Sequence, residues 1–325
     1  MKRLLPKRFS FILGLLIIAC FCQQSCTSTD EVSPPKLKEA YKTESVIIVV
    51  IDGPRFTETL GDSNHTYAPF LTKQFLTEGG IALTNFYNDG VTFTNPGHGT
   101  ITTGYRQNVE NSGKELPKNP SFFQAWRQQT KSPANSAWII ASKGKLEILA
   151  NSSDSAWHNQ YMPSTNCGTN SGSGYRSDLT TFEVAMKVLQ TDHPKLMLIN
   201  FKDPDVGGHT NNWSGYLQGI KRADSLVAEL WTYLNKDKAY KDKVTLLVTN
   251  DHGRHLDGMA DGFVSHGDGC EGCRHITLFA AGPDFKKNAT IDTYYRQRDI
   301  AATVAELMRI EMVTEGEMMK ELFRK

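Results

Sequence analysis

Three continuous apolar runs do most to restrict the fold. They are SVIIVVI at residues 45–51, KLMLINF at 195–201 and KVTLLVTN at 243–250. None alternates polar with apolar, so each reads as a strand buried on both faces, the mark of a parallel sheet covered by helices. Each run leads within a few residues to an aspartate: Asp52, Asp205 and Asp251. Helical spacing fills the intervals. It is clearest over 213–234, where Trp213, Tyr216, Ile220, Val227 and Trp231 keep one apolar face. Further helices are expected over 68–77, 121–129, 179–189 and 299–310, with 314–323 as one more candidate. Short strands are expected at 137–141 and 275–281, and residues 151–176, rich in Ser, Asn and Gly, read as a long surface loop. This alternation predicts an α/β domain with a mostly parallel central sheet and helices on both faces. Ligands of such sheets gather at the carboxyl ends of strands, where the three aspartates fall.

The N-terminus carries a different signal. Lys2, Arg3, Lys7 and Arg8 precede an apolar run too short to span a bilayer, and that run ends in Ile17-Ile18-Ala19-Cys20. Residues 1–19 are therefore expected to be a lipoprotein signal peptide, with Cys20 as the lipidated new N-terminus; an ordinary secretory signal is the alternative. Residues 20–43 read as a flexible tether and 44–325 as the catalytic domain. The expected location is a bacterial cell envelope, lipid-anchored and facing periplasm or cell surface. With 36 Lys and Arg against 35 Asp and Glu, the net charge of +1 offers no basic stripe for nucleic acid. Export places Cys270 and Cys273, spaced as CxxC, in an oxidising compartment, where a short-loop disulfide is expected.

The chemistry concentrates in four places besides Asp52. Residues 91–104 read VTFTNPGHGTITTG, placing Thr94 where a strand-like run gives way to a helix-like one. Pro96 suits a first helical turn, and Gly97 and Gly99 allow close backbone approach. Asp205-Val-Gly-Gly-His209 follows the second apolar run, Asp251-His252-Gly253 follows the third, and His266-Gly267 comes shortly before the last strand. Mixed carboxylates and imidazoles suit zinc or a similar divalent ion. Three Asp and three His exceed what one tetrahedral ion needs, so two ions are expected. A threonine hydroxyl needs activation to act as a nucleophile, which a metal supplies.

These segments resemble the alkaline phosphatase superfamily, closest to its type I phosphodiesterase/nucleotide pyrophosphatase-like branch. The resemblance rests on IDGPR from Ile51, TNPGHGTITTG from Thr94, DPDVGGH from Asp203, TNDHG from Thr249 and SHGDG from Ser265, in the family's order. It implies one metal site made of Asp52, Thr94, Asp251 and His252, and a second made of Asp205, His209 and His266. Thr94 would be phosphorylated and then hydrolysed, with Asn111 binding a non-bridging oxygen. It further implies two divalent ions, zinc first and manganese as an alternative, and a small-molecule phosphate ester as substrate. His275 competes with His266 for the last ligand place, and His98 reads as a packing residue.

A metal-dependent phosphodiesterase is thus expected, with a phosphomonoesterase or phosphotransferase as runner-up, since no Lys/Arg motif dedicated to a dianion is evident. Sulfatase chemistry is disfavoured, because residues 94–98 lack the Cys or Ser that sulfatases convert to formylglycine. A non-catalytic binding protein stabilised by its ions is the reading from another class.

Overall fold

The computed structural model describes residues 41–169 and 174–324. The expected signal segment, Cys20 and most of the expected tether lie outside the described residues. Among those residues a nine-stranded sheet holds β1 (Ser45–Ile51), β2 (Ile81–Tyr87), β3 (Ala137–Ala141), β4 (Ser164–Cys167), β5 (Leu196–Phe201), β6 (Val244–Asn250), β7 (His275–Ala281), β8 (Ala289–Ile291) and β9 (Tyr295–Arg296). Its order is β4-β3-β5-β1-β6-β7-β2-β8, with β9 paired to β2. Strands β1, β3, β4, β5 and β6 are mutually parallel; β7 runs antiparallel to both β6 and β2. The mostly parallel sheet expected from the sequence is present.

The three apolar runs form the centre of this sheet, β5-β1-β6, and every residue of those strands is buried. Side chains alternate between two cores. Val46, Ile48 and Val50 face one, with Phe122 and Trp126 of α3 (Phe122–Thr130) and Ile300 and Val304 of α8 (Asp299–Met308). Ile47, Val49 and Ile51 face the other. There they meet α1 (Phe75–Thr77), which continues a π-helical stretch Phe70–Gln74, together with α4 (Asp178–Thr191) and α6 (Trp213–Leu234). Helices therefore cover both faces, and the polar ends of the central strands are left to build a site. Three further helices lie nearer that site: α2 (Thr94–Thr103), α5 (Asp203–His209) and α7 (Glu271–Arg274). Among the described residues no helix is long and apolar enough to cross a membrane.

Several expectations are corrected. Residues 41–43, expected to belong to the tether, are bonded into the domain. The Tyr41 hydroxyl donates to Glu306, and the backbone N–H groups of Lys42 and Thr43 donate to Asp284. The loop expected over 151–176 contains β4, a short edge strand added beside β3. Strand β2 carries no long apolar run and was not expected; it is held by antiparallel pairing with β7. Residues 314–323 form only a 3-10 turn at Lys320–Leu322. Their backbone N–H groups go instead to α8, from Glu317 to Asp299 and from Met319 to Thr303, so no helical ladder closes. Helix α8 stops at Met308 because Arg309 takes a left-handed φ of 55°.

Candidate active site

Thr94 opens α2 and is buried, with Phe93 as the extended residue before it. Pro96 lies in the first turn as expected. Gly97 has a steric reason: a Cβ there would come within 2.6 Å of the Asp251 carbonyl oxygen, so α2 packs directly on the end of β6. Asn111 returns to the same turn, its Oδ1 accepting from the Asn95 N–H at 2.9 Å and from Lys145 Nζ at 3.0 Å. Both bonds use the side-chain carbonyl, which leaves the amide NH2 to meet a ligand.

Asp52, Asp251 and His252 meet at the ends of β1 and β6, all fully buried. Each carboxylate has one oxygen engaged and one orphaned. Asp251 Oδ1 accepts from the N–H groups of Gly53 and His252, and Asp52 Oδ2 from Lys143 Nζ at 2.9 Å. Asp52 Oδ1, Asp251 Oδ2 and His252 Nε2 have no hydrogen-bond partner. Nε2 lies 3.6 Å from the first of these oxygens and 3.5 Å from the second. His252 Nδ1 donates to the Gly253 carbonyl at 2.9 Å, so the lone pair is on Nε2, toward the carboxylates. Three buried lone pairs converging without a proton between them cost free energy unless a cation sits there. The donor set fits a divalent ion.

The second group is half made by α5, where the i, i+4 spacing puts Asp205 and His209 on one face. Asp205 Oδ1 lies 3.2 Å from His209 Nε2 and 3.4 Å from His266 Nε2, and the two Nε2 atoms are 3.1 Å apart. His266 Nδ1 donates to the Thr92 carbonyl at 2.7 Å, which again turns the Nε2 lone pair inward. The His209 side chain is 49% exposed, so this group opens to solvent. The two groups are adjacent: a Cβ on Gly53, whose φ is +72°, would come within 3.1 Å of Asp205 Oδ1 and 3.2 Å of His252 Cε1. Only glycine fits that position.

Burial and the Asp251 charge push the Asp52 carboxyl up to about 7. Burial acts the same way on Asp251, but His252 and His98 beside it hold it below the usual carboxylate range. Burial lowers His252 to about 3, keeping the imidazole neutral and able to ligate. Burial is overcome at Asp205 by Lys143, which holds that carboxyl well below its ordinary value.

Lys143 is the residue the sequence reading missed. Its buried ammonium donates to Thr94 Oγ1 at 3.2 Å and contacts Asp205 Oδ2 at 2.6 Å and Asp52 Oδ2 at 2.9 Å. It thus takes the carboxylate oxygens that face away from the histidines and joins the hydroxyl to both groups. Burial is outweighed by Asp205 and Asp52, so the Lys143 ammonium is held charged. Lys143 lies two residues past the end of β3, and Lys145 just beyond. The strand-end rule that flagged the aspartates would have flagged them too. Arg254 is buried too, with Nη1 2.5 Å from Asp205 Oδ1. His98 has both ring nitrogens engaged, Nδ1 by the Thr94 carbonyl and Nε2 by Asn200, as a positioning residue would. His275 stacks between Phe56 and Tyr87 and takes no part. Cys270 and Cys273, expected to be disulfide-bonded, are free thiols at the start and third residue of the α7 turn.

A family model described as the metalloenzyme superfamily matches residues 129–312. The chain is 25% identical over 138 residues to the 2,3-bisphosphoglycerate-independent phosphoglycerate mutase of Gracilaria tenuistipitata var. liui, covering 41% of this chain and 25% of that protein. It is 26% identical over 137 residues to the phosphopentomutase of Herpetosiphon aurantiacus, covering 42% of this chain and 32% of that protein. The chain therefore spans a third or less of the length of these curated relatives. Among solved structures, murine ectonucleotide pyrophosphatase/phosphodiesterase 5 superposes with a TM-score of 0.59 at 16% identity, covering 86% of this chain and all of that one. Wild-type alkaline phosphatase PafA superposes with a TM-score of 0.65 at 13% identity, covering 89% of this chain and 100% of that one. At such identities the likeness establishes a shared, alkaline phosphatase-like fold.

Proposed function

This chain belongs to the metalloenzyme superfamily, and from that premise we propose that it hydrolyses phosphate monoesters, with Thr94 as nucleophile. One group of ligands would be Asp52, Asp251 and His252 with the Thr94 hydroxyl, the other Asp205, His209 and His266. Zinc suits the three histidines, and manganese suits the three carboxylates. When bound, such ions lower the pKa of a coordinated hydroxyl and offset charge on the transferring phosphoryl group.

The chain's own residues account for the rest. The α2 turn holds Thr94 Oγ1 in place beside the Lys143 ammonium. The Oγ1–P bond forms as the P–O bond to the leaving alcohol breaks in line; the Thr94 hydroxyl proton passes to solvent and the leaving oxygen takes a proton from solvent. Water then attacks the phosphothreonine, the Oγ1–P bond breaks, and Thr94 recovers its proton while phosphate departs. Asn111 NH2 and Lys145 Nζ, tied together through Asn111 Oδ1, are placed to meet non-bridging oxygens. Asn200, Lys143 and the Gly53 N–H hold the carboxylates in register and move no proton.

The observation that carries this reading is the pair of lysines. The diester preference expected from the sequence rests on the lack of a basic motif for a dianion. Lys143 brings its ammonium to Thr94 Oγ1 and Lys145 joins the same turn through Asn111, and a monoester dianion gains more from two ammonium groups than a diester monoanion does. The chemistry is tested by comparing kcat/KM on an aryl monophosphate and a bis-aryl phosphate. The monoester is expected to be the better substrate; a diester preference would return the assignment to a phosphodiesterase. A sugar phosphate whose phosphoryl group moves to another hydroxyl without release of phosphate would make it a mutase. Lipidation at Cys20 and a cell-envelope location are part of this proposal, supported by residues 1–20. Mass spectrometry of the membrane fraction should find the chain starting at an acylated Cys20; an intact Met1 terminus would exclude that.

A further inference from the structure

Beyond the two groups beside Thr94, a third set of ligating side chains converges in the described residues. His255, Asp268, Cys270 and Cys273 each bring one donor atom within 4.8 Å of every other. We propose that these four residues hold a single structural zinc-class ion, separate from the catalytic pair.

The chemistry of the donors selects this class. Two sulfurs, one imidazole and one carboxylate make a closed four-ligand set, which suits tetrahedral zinc and leaves no open position for substrate. The CxxC spacing supplies both sulfurs from one turn, Cys270 capping α7 and Cys273 lying inside it. His255 is the telling member. Its side chain is 8% exposed, and Nδ1 meets Asp261 Oδ1 at 2.8 Å. That carboxylate fixes the proton on Nδ1 and leaves the lone pair on Nε2, the usual way a ligating histidine is oriented. Nε2 has no hydrogen-bond partner, although Asp268 Oδ2 stands 3.3 Å away. The Cys273 thiol donates to Asp268 Oδ1 at 3.6 Å, but the buried His255 nitrogen beside this carboxylate and the two sulfurs has no partner, and a cation would satisfy it. Asp268 Oδ1 is meanwhile engaged by the Cys270 N–H at 3.0 Å, which holds the second oxygen toward His255.

The placement gives the ion a task. His255 follows His252 by three residues, and Asp268 follows His266 by two. A bond network joining these positions would clamp both ends of the segment that carries one ligand of each catalytic group.

All four donors lie between Arg254 and Arg274, with no Lys or Arg in between, so trypsin releases them in one peptide. The full-length protein would be stripped with chelator and reloaded with Co2+. The proposal expects a thiolate-to-cobalt charge-transfer absorption, lost in C270S/C273S although Cys167 is kept. It also expects metal analysis of the zinc form to fall by about one equivalent per chain in that variant. Alkylation of the native, unreduced protein followed by digestion reads the thiols directly. Cys270 and Cys273 should be protected from alkylation and become reactive after chelation. A Cys270–Cys273 disulfide in that peptide, or a cobalt spectrum of the wild type without thiolate bands, would overturn the proposal. The wild-type spectrum decides even if the double variant fails to fold, and none of these readouts depends on ester hydrolysis.

Discussion

The site around Thr94 and the cluster around Cys270 are assembled in opposite ways. The first draws Asp52 from the end of β1, Thr94 from α2, Lys143 from beyond β3, Asp205 and His209 from α5, and Asp251 and His252 from beyond β6. These positions span most of the chain, and what brings them together is the order of the sheet, with β5, β1 and β6 side by side. The second is drawn from one segment, from His255 to Cys273, and needs only that segment to turn back on itself. A site made from strand ends inherits the rigidity of the core and is fully buried at its base. A site made within a loop must supply its own rigidity, and a bound ion is an inexpensive way to do so. Damage to the first should therefore appear in chemistry, and damage to the second in the order and stability of a segment.

The largest effect should come from Thr94→Ala. Loss of a nucleophile is expected to lower kcat by about four orders of magnitude or more, with metal content unchanged; a variant that keeps a tenth of the activity would remove Thr94 from that role. Lys143→Met should follow. It strips the cation from Thr94, Asp52 and Asp205 at once, and kcat/KM on a monoester should drop by roughly two to three orders of magnitude. The loss on a diester should be smaller, and equal losses on both would mean that Lys143 only supports the fold.

Lys145 offers a pH test. Burial and the neighbouring Lys143 lower its ammonium to about 8. Lys145 is charged below that value and neutral above it, so kcat/KM on a monoester should fall as pH rises through about 8. Lys145→Arg keeps its charge and should move that limb to higher pH; an unchanged profile would assign the limb to another group. In the loop cluster, C270S/C273S should lower Tm by a few degrees, about 1–2 kcal/mol for a chain of this size. The rise of the midpoint with added zinc should shrink in that variant by the share due to this cluster, the groups beside Thr94 supplying what remains. The smallest effect belongs to Asp224, whose carboxylate accepts from the N–H groups of Phe70 and Leu71 at the start of the π-helical stretch. Asp224→Ala should cost about 1 kcal/mol in chemical denaturation, as a lost helix cap does. Because that contact lies in the second core, kcat should stay at the wild-type value; a fall in kcat would mean that the cores are coupled to the site.

The amino-acid sequence alone determined the strand–helix alternation and the acids at strand ends, because continuous apolar runs and i, i+4 spacing are local consequences of burial. It placed α6 at its observed bounds and named the acids and histidines that the fold brings together in two groups beside Thr94. Tertiary structure alone decided which of those ends meet, because strand order is set by packing of both cores and not by any single run. It also decided the place of Lys143. A lone lysine beyond a short strand reads as solvated, and only the convergence of Asp52 and Asp205 offsets the desolvation of its charge. The same holds for Cys270 and Cys273. Their spacing by itself favours a short-loop disulfide, and only the fold brings the buried, oriented His255 nitrogen to face them.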